Sequence, residues 1–334
     1  MRPTESPTRE SRGESVSLPA AFSTRPLAKV DARLLAELLD DEARLWREEL
    51  EWDYSAVRAA LLRGVEERTV EGLVALSDGR LAAYCCCLRE VGRAVIGSLY
   101  ATQEFRGAGL EEQLLERVLH DVKGAYGSKR VEGQTLFSTA AAADEEFERA
   151  GFTSYRRHYL ALRLGAALDA PAHGLRLTRV GRWDLDRAAD LVFASHQDSL
   201  DAVVNSTYAT REQCRQFVES LVLRDSCGSY DVEASFLAYA SGGPIGLILC
   251  TRLSPTNGHV CQVSVLPQAQ GCGVGRVLMV SALEVFRRAG LSTASLSVTV
   301  GNERAQRLYD RLGFTVRKRF GAHAWERSSW SLHW

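Results

Sequence analysis

One succession of elements occurs twice in this chain, and that repeat constrains the fold more than any other feature. "LVALSDGRLAAYCCCLRE" at 73–90 and "FLAYASGGPIGLILCTRLS" at 236–254 share one design: apolar strand, glycine-containing turn, apolar strand. "VIGSLYATQEFRGAGLEEQLL" at 95–115 and "QVSVLPQAQGCGVGRVLMV" at 262–280 each read as a strand, a glycine-rich turn and a helix start. "EEFERAGF" at 145–152 is echoed by "LYDRLGF" at 308–314. The matches are offset by 162 to 164 residues, so the halves are copies of one unit.

The aperiodic segment "LGAALDAPAHG" at 164–174 lies between them. We therefore expect one domain over 19–164, a linker over 165–174 and a second domain over 175–334. Residues 1–18, rich in Ser, Pro, Arg and Glu, are expected to form a disordered tail. In the second half, "RWDLDRAADLVFASH" and "TREQCRQFVESLVL" have helical spacing and precede three strands. Val274, Leu278, Ala282 and Val285 share a helix face that Gly290 ends. "TASLSVTV" alternates as a strand, and Asn302 is suited to cap a helix bearing Ala305, Leu308, Tyr309 and Leu312, ended by Gly313. The expected fold is α/β, with helices and strands mixed around one sheet.

Lys+Arg 41 against Asp+Glu 42 gives a formal net charge of -1, so no global field draws the chain to nucleic acid or an anionic membrane. No stretch approaches the ~20 apolar residues of a membrane span, and the N-terminus lacks a signal-peptide core. The expectation is a soluble cytoplasmic protein. Its eight cysteines form no C-x-x-C pair, which removes the zinc-knuckle and thioredoxin-like spacings. Buried reduced thiols are expected, with no metal.

"LPQAQGCGVGRVLM" at 266–279 is a glycine loop entering a helix, where unpaired N–H groups and the helix dipole favour an anion. A nucleotide phosphate-binding loop needs Gly-Lys-Ser/Thr, but Gly275 precedes Arg276 and Val277. A dinucleotide fingerprint needs a glycine three beyond Gly273, where Arg276 stands. What remains is Gln270-x-x-Gly273-x-Gly275 after Val263-Ser264-Val265-Leu266-Pro267. It resembles the pyrophosphate motif of the GNAT superfamily of acyl-CoA N-acyltransferases. "VGNERAQRLYDRLGF" at 300–314 is similar to that family's Asn-x-x-Ala-x-x-Leu-Tyr segment. The resemblance covers about residues 175–320, and the first half resembles a weaker copy.

The resemblance implies two tandem GNAT-like domains, each a mixed, splayed β-sheet flanked by helices. It also implies acetyl-CoA as co-substrate. Pyrophosphate would lie on the N–H groups of Gly271, Cys272, Gly273, Val274, Gly275 and Arg276, behind Gln270. The pantetheine arm would run between strands ending near Val265 and Val298, touching Val263, Val265 and Asn302. Tyr309 would sit by the thioester sulfur as general acid, and the Val265 N–H would polarise the carbonyl. The implied activity is N-acetyl transfer to a primary amine of a small-molecule or peptide acceptor, by direct attack in a ternary complex. The competing readings are a non-catalytic acyl-CoA-binding or interaction protein, with Asn302 a plain helix cap and Tyr309 a packing residue.

In the first half Arg106-x-x-Gly109 keeps the motif, but Glu111 stands where Gly275 does, Ala140 where Asn302 does and Phe147 where Tyr309 does. A carboxylate at Glu111 repels a pyrophosphate and can take its N–H groups, so this half reads as structural or substrate-shaping. The alternative is acyl-CoA binding through backbone alone. No base stands out among His196, Asp198, Asp201 and His259. Trp325, Trp330 and Trp334 read as core residues, the alternative being that one lines an acceptor pocket, and Cys272 lies in the loop, away from the thioester.

Overall fold

The computed structural model describes residues 22–90, 92–125, 128–167, 174–197 and 199–327. The first half runs β1 (Phe22–Pro26), α1 (Ala32–Leu50), α2 (Ser55–Glu66), β2 (Glu71–Ser77), β3 (Arg80–Glu90), β4 (Arg93–Ala101), α3 (Leu110–Gly124), β5 (Arg130–Gln134), α4 (Ala143–Arg149) and β6 (Thr153–Arg163). The second runs β7 (Arg176–Arg179), α5 (Leu185–His196), α6 (Leu200–Val204), α7 (Arg211–Arg224), β8 (Ser229–Tyr230), β9 (Phe236–Ala240), β10 (Gly243–Arg252), β11 (Asn257–Val265), α8 (Val274–Arg288), β12 (Thr293–Thr299), α9 (Glu303–Arg311) and β13 (Thr315–Glu326). The expected helices before the second set of strands are α5 and α7. The short α6 between them carried no periodic signal.

The strands form one 13-stranded sheet in the order β1-β2-β3-β4-β5-β13-β6-β12-β11-β10-β9-β7, with β8 on β10. Each half contributes antiparallel hairpins, then a parallel pair that opens. β11 pairs with β12 from Asn257↔Thr293 to Val260↔Leu296, and β4 with β5 from Arg93↔Arg130 to Ile96↔Gly133. Beyond those residues the ladders stop, giving the expected splay.

The last strand of each half completes the sheet of the other. β6 pairs antiparallel with β12, and β13 pairs antiparallel with both β5 and β6. The exchange leaves neither half with an open edge at its centre and carries side chains across. Trp325 on β13 packs, as expected of a core residue, but into the core of the first half, under the Lys123 ammonium at 5.1 Å. Trp330 and Trp334 lie outside the described residues, as do residues 1–18 and most of the linker.

Amphipathic helices cover the sheet. α3 buries Leu110, Leu114, Leu115 and Val118 on β2–β4, and α8 buries Val274, Leu278, Ala282 and Phe286 on β9–β11. Gly258 admits Phe286, whose ring carbons would stand 2.6 Å from any Cβ there. The thiols of Cys85, Cys86 and Cys87 are buried and free, and burial pushes that of Cys86 up to about 12. No helix of the described residues is long and apolar enough to cross a membrane.

Candidate active site

The glycine loop owes its shape to Gly271 and Gly273, whose φ of 81° and 83° are left-handed and favour glycine. The first intrahelical donor of α8 is the Val277 N–H, to the Gly273 carbonyl at 3.0 Å. The N–H groups of Val274, Gly275 and Arg276 therefore have no partner within the helix. Gly275 itself is helical, and a Cβ there would touch Leu308 at 3.4 Å. The Gln270 side chain turns back, donating Nε2 to the Val265 carbonyl at 2.9 Å. It ties the loop to the strand end and does not reach over the N–H groups that open α8.

A cavity of about 730 Å³ extends from this loop along Val263–Val265 to Asn302 and Tyr309, with His196 and Asp201 opposite. Arg276, Arg304 and Arg311 line it, and none of them pairs with a carboxylate among the described residues. Cys272 is exposed on the loop. A smaller cavity of about 110 Å³ shares Val263, His196, Asp201, Asn302 and Tyr309 with the first, and adds Arg157, Tyr208 and Gln262.

The end of β11 presents a free donor. Leu266 N–H donates outward to the Ile245 carbonyl at 2.9 Å. Successive N–H groups of an antiparallel strand alternate sides, so that of Val265 points away from β10, into the gap that β12 has left. No described residue accepts it.

Around this gap the side chains are held firmly. Asn302 caps α9 by accepting from Ala305 N–H at 3.2 Å, as its type and position led us to expect, and donates Nδ2 to Asp201 at 3.1 Å. Thr299 donates to the other Asp201 oxygen at 2.7 Å. Asp201 thus ties α6 to the start of α9. Tyr309 is buried, and its hydroxyl has no hydrogen-bond partner among the described residues. Burial, then the Asp201 charge, push its pKa well above the usual phenol value.

His196 donates Nδ1–H to the Val192 carbonyl at 2.9 Å and stacks on Tyr208 at 4.2 Å. Its Nε2 lies 3.3 Å from Gln262 Nε2, which donates to it. Burial lowers its pKa, so the ring is neutral. His259 lines neither cavity. It is bonded to Ser295 inside the sheet, and burial brings its pKa down to about 3. Asp198 lies outside the described residues.

Sequence reasoning missed Arg157, Tyr208, Gln262, Arg304 and Arg311. Arg157 comes from β6 of the first half; its Nη1 donates to Gln134 at 3.0 Å, and its buried Nε has no partner. It reaches this cleft through the strand exchange, which no motif announces. Gln262 alternates inward on β11 and could have been found from that pattern.

The first half forms the same loop, with Gly107 and Gly109 at φ of 77° and 75°, and Arg106 Nε donating to the Ala101 carbonyl at 3.2 Å. Its gap is closed. Thr102 N–H points outward to the Ala82 carbonyl at 2.9 Å, but the inward Ala101 N–H donates to Thr139 Oγ1 at 3.0 Å. Thr139 donates onward to Glu111 Oε1 at 2.8 Å, and its N–H bonds the Leu99 carbonyl beside a parallel Leu99↔Ser138 bridge. Glu111 is 1% exposed. Its carboxyl turns inward to Thr139 instead of spanning the loop, its other oxygen is buried without a partner, and burial raises its pKa.

An anion loop at a helix N-terminus, opening on a split parallel pair in a sheet built twice, defines the class: a tandem acyl-transfer fold. The sequence profile of the acetyltransferase (GNAT) family matches residues 33–152 and 200–314, and the chain belongs to that family. It is 26% identical over 262 residues to a mycothiol acetyltransferase of Nocardiopsis dassonvillei, covering 73% of this chain and 78% of that one. A mycothiol acetyltransferase of Thermomonospora curvata is 40% identical over 105 residues, 31% of this chain and 35% of the relative. Among solved structures, a GCN5-related N-acetyltransferase of Sphaerobacter thermophilus superposes with a TM-score of 0.64 at 24% identity, covering 93% of this chain and 97% of the other. A tandem GNAT protein of clavulanic acid biosynthesis gives 0.59 at 14%, covering 92% and 100%. At such identities these two share the fold.

Proposed function

We propose that the chain is an N-acetyltransferase that moves an acetyl group from acetyl-CoA to the primary amine of a small acceptor, by direct attack in a ternary complex at the second half. The observation that carries this reading is the unpaired Val265 N–H, set between the anion loop and Tyr309. The N–H groups of Val274, Gly275 and Arg276 would hold the pyrophosphate, and the three unpaired arginines would meet the remaining phosphate charge. Val263 and Val265 would flank the pantetheine arm, beside Asn302.

Val265 N–H would donate to the thioester oxygen as charge develops there. Tyr309, protonated throughout the physiological range, would hydrogen-bond and protonate the departing sulfur. The neutral His196 would take the amine proton on Nε2, whose lone pair the Gln262 amide would give up to the bound amine. The relatives named mycothiol acetyltransferase favour a small molecule over a peptide as acceptor. We infer further that the first half holds no CoA and serves to shape the cleft, to which it lends Arg157.

An amine library screened for CoA thiol release tests the reading. Release with a defined set of amines is expected. Tight acetyl-CoA binding with no release from any amine would instead leave a binding protein.

A further inference from the structure

At the edge of the transfer cleft, where Cys261 lines the smaller cavity, Cys227, His259 and Cys261 bring three ligand atoms within 4.8 Å of one another. They come from the turn before β8 and from alternate positions on one face of β11, so no C-x-x-C spacing announces them. Their environment fixes the histidine for ligation. Asn257 Nδ2 donates to the carbonyls of Leu50 at 3.1 Å and Glu51 at 3.4 Å, which turns its oxygen toward Ser295. Ser295 Oγ donates to that oxygen at 2.9 Å. Its lone pair is then left to accept from His259 Nδ1, also at 2.9 Å. Nδ1 must carry the proton, and Nε2 the free lone pair. A histidine whose far nitrogen donates into a fixed chain is the usual support of a metal-bound imidazole.

Both cysteines are half-buried residues, unlike the fully buried Cys85, Cys214 and Cys250, and Cys261 lines the cavity of about 110 Å³, which gives an ion a path. We propose that Cys227, His259 and Cys261 bind a zinc-type divalent ion, through two thiolates and one imidazole, with a fourth position open to water. Soft sulfur with imidazole suits zinc and excludes magnesium and calcium as the preferred ion. Tetrahedral bonds of about 2.3 Å to sulfur and about 2.0 Å to nitrogen set ligand atoms about 3.5–3.8 Å apart, inside the 4.8 Å within which the three atoms lie. Binding releases the two thiol protons, so affinity rises with pH, and two thiolates neutralise the ion in a partly buried place. The bound ion would staple the turn at Cys227 to β11, four residues ahead of Val265. The site does not rest on the proposed acetyl transfer.

Cobalt(II) titration of the reduced, metal-free full chain tests this. One equivalent should produce a near-ultraviolet thiolate-to-cobalt band and the strong visible bands of four-coordinate cobalt, and zinc should displace them. Cys261→Ser and Cys227→Ala should each abolish those bands, while Cys272→Ser should keep them; circular dichroism establishes that each variant is folded. If a variant fails to fold, alkylation of the parent read by mass spectrometry replaces it. Zinc should then protect Cys227 and Cys261 and leave Cys272 reactive. Weak octahedral bands alone, bands that survive loss of Cys261, or unprotected thiols would overturn the site. So would a Cys227–Cys261 disulfide that persists under mild reduction, which would assign the pair to redox closure.

Discussion

The two halves make the same loop and different clefts. Gly271 and Gly273 repeat the backbone of Gly107 and Gly109, and Gln270 repeats the anchoring bond of Arg106. What differs is the gap between the parallel strands. In the second half Gly301 leaves the Val265 N–H open. In the first, Thr139 at the matching position accepts from the Ala101 N–H, and its hydroxyl donates to Glu111. Phe147, matching Tyr309, stacks at 4.1 Å on His323, a side chain that the exchanged β13 delivers. A loop that can bind an anion is therefore not sufficient. The chemistry depends on whether the space beside it is open or filled.

The largest expected effect comes from importing the closed state. Gly275→Glu should abolish acetyl-CoA binding in calorimetry, since it sets a bulky carboxylate at the helix start, beside the proposed pyrophosphate site, where it crowds the gap and repels the phosphates. The mirror change, Glu111→Ala, should leave binding nearly unchanged, because Thr139 and the Leu99↔Ser138 bridge still close the first gap. Binding gained at the first half of that variant would show that Glu111 alone blocks it.

Next in size is Tyr309→Phe, which makes the second half match the first at this position. A general acid is typically worth ~10²–10⁴ in rate, so kcat should fall by about that factor. Acetyl-CoA affinity should move by less than ~1 kcal/mol, a typical net hydrogen bond. Unchanged kcat would reduce Tyr309 to packing.

His196 sharpens the same point through pH. Burial disfavours its charged form, so the ring proposed as base stays neutral to more acidic pH than a free imidazole, whose pKa is about 6.5. The acidic limb of kcat/KM should lie below that value, and His196→Gln should lose the limb together with about 10² in kcat. A limb that persists in the variant would assign it to another group.

Much of this contrast was legible in the sequence because it rests on local chemistry. Glycines at left-handed positions, an Asn cap and matched periodic helices declare themselves within a few residues, and Glu111 and Phe147 stand out against them. Glu111 itself shows the limit. Its position is local, but its partner Thr139 is brought by the splay, so its inward turn was not readable. Nor was the exchange of β6 and β13, since the apolar alternation of a strand does not say which neighbour it pairs with. Arg157, His323 and the cluster of Cys227, His259 and Cys261 all depend on such long-range pairing.

A smaller effect tests the first half as a structural body. Glu42 is buried with Trp46 Nε1 donating at 2.9 Å and Tyr84 Oη at 2.6 Å. Desolvation outweighs those bonds and raises its pKa from 4.5 to about 7. The folded state thus holds an extra proton between those values, and stability falls as pH rises through that window, by roughly 3 kcal/mol in all. Glu42→Gln should remove this slope, gaining on the parent above pH 7 in thermal unfolding. A difference that does not change with pH would mean that Glu42 is ionised in the fold.

The central claim, one open cleft and one closed, is tested most directly by the stoichiometry of acetyl-CoA on the intact chain. Isothermal titration calorimetry should give one molecule per chain, and Gly275→Glu should bring that to none. Two equivalent sites in the parent, or one site that survives Gly275→Glu, would contradict the account.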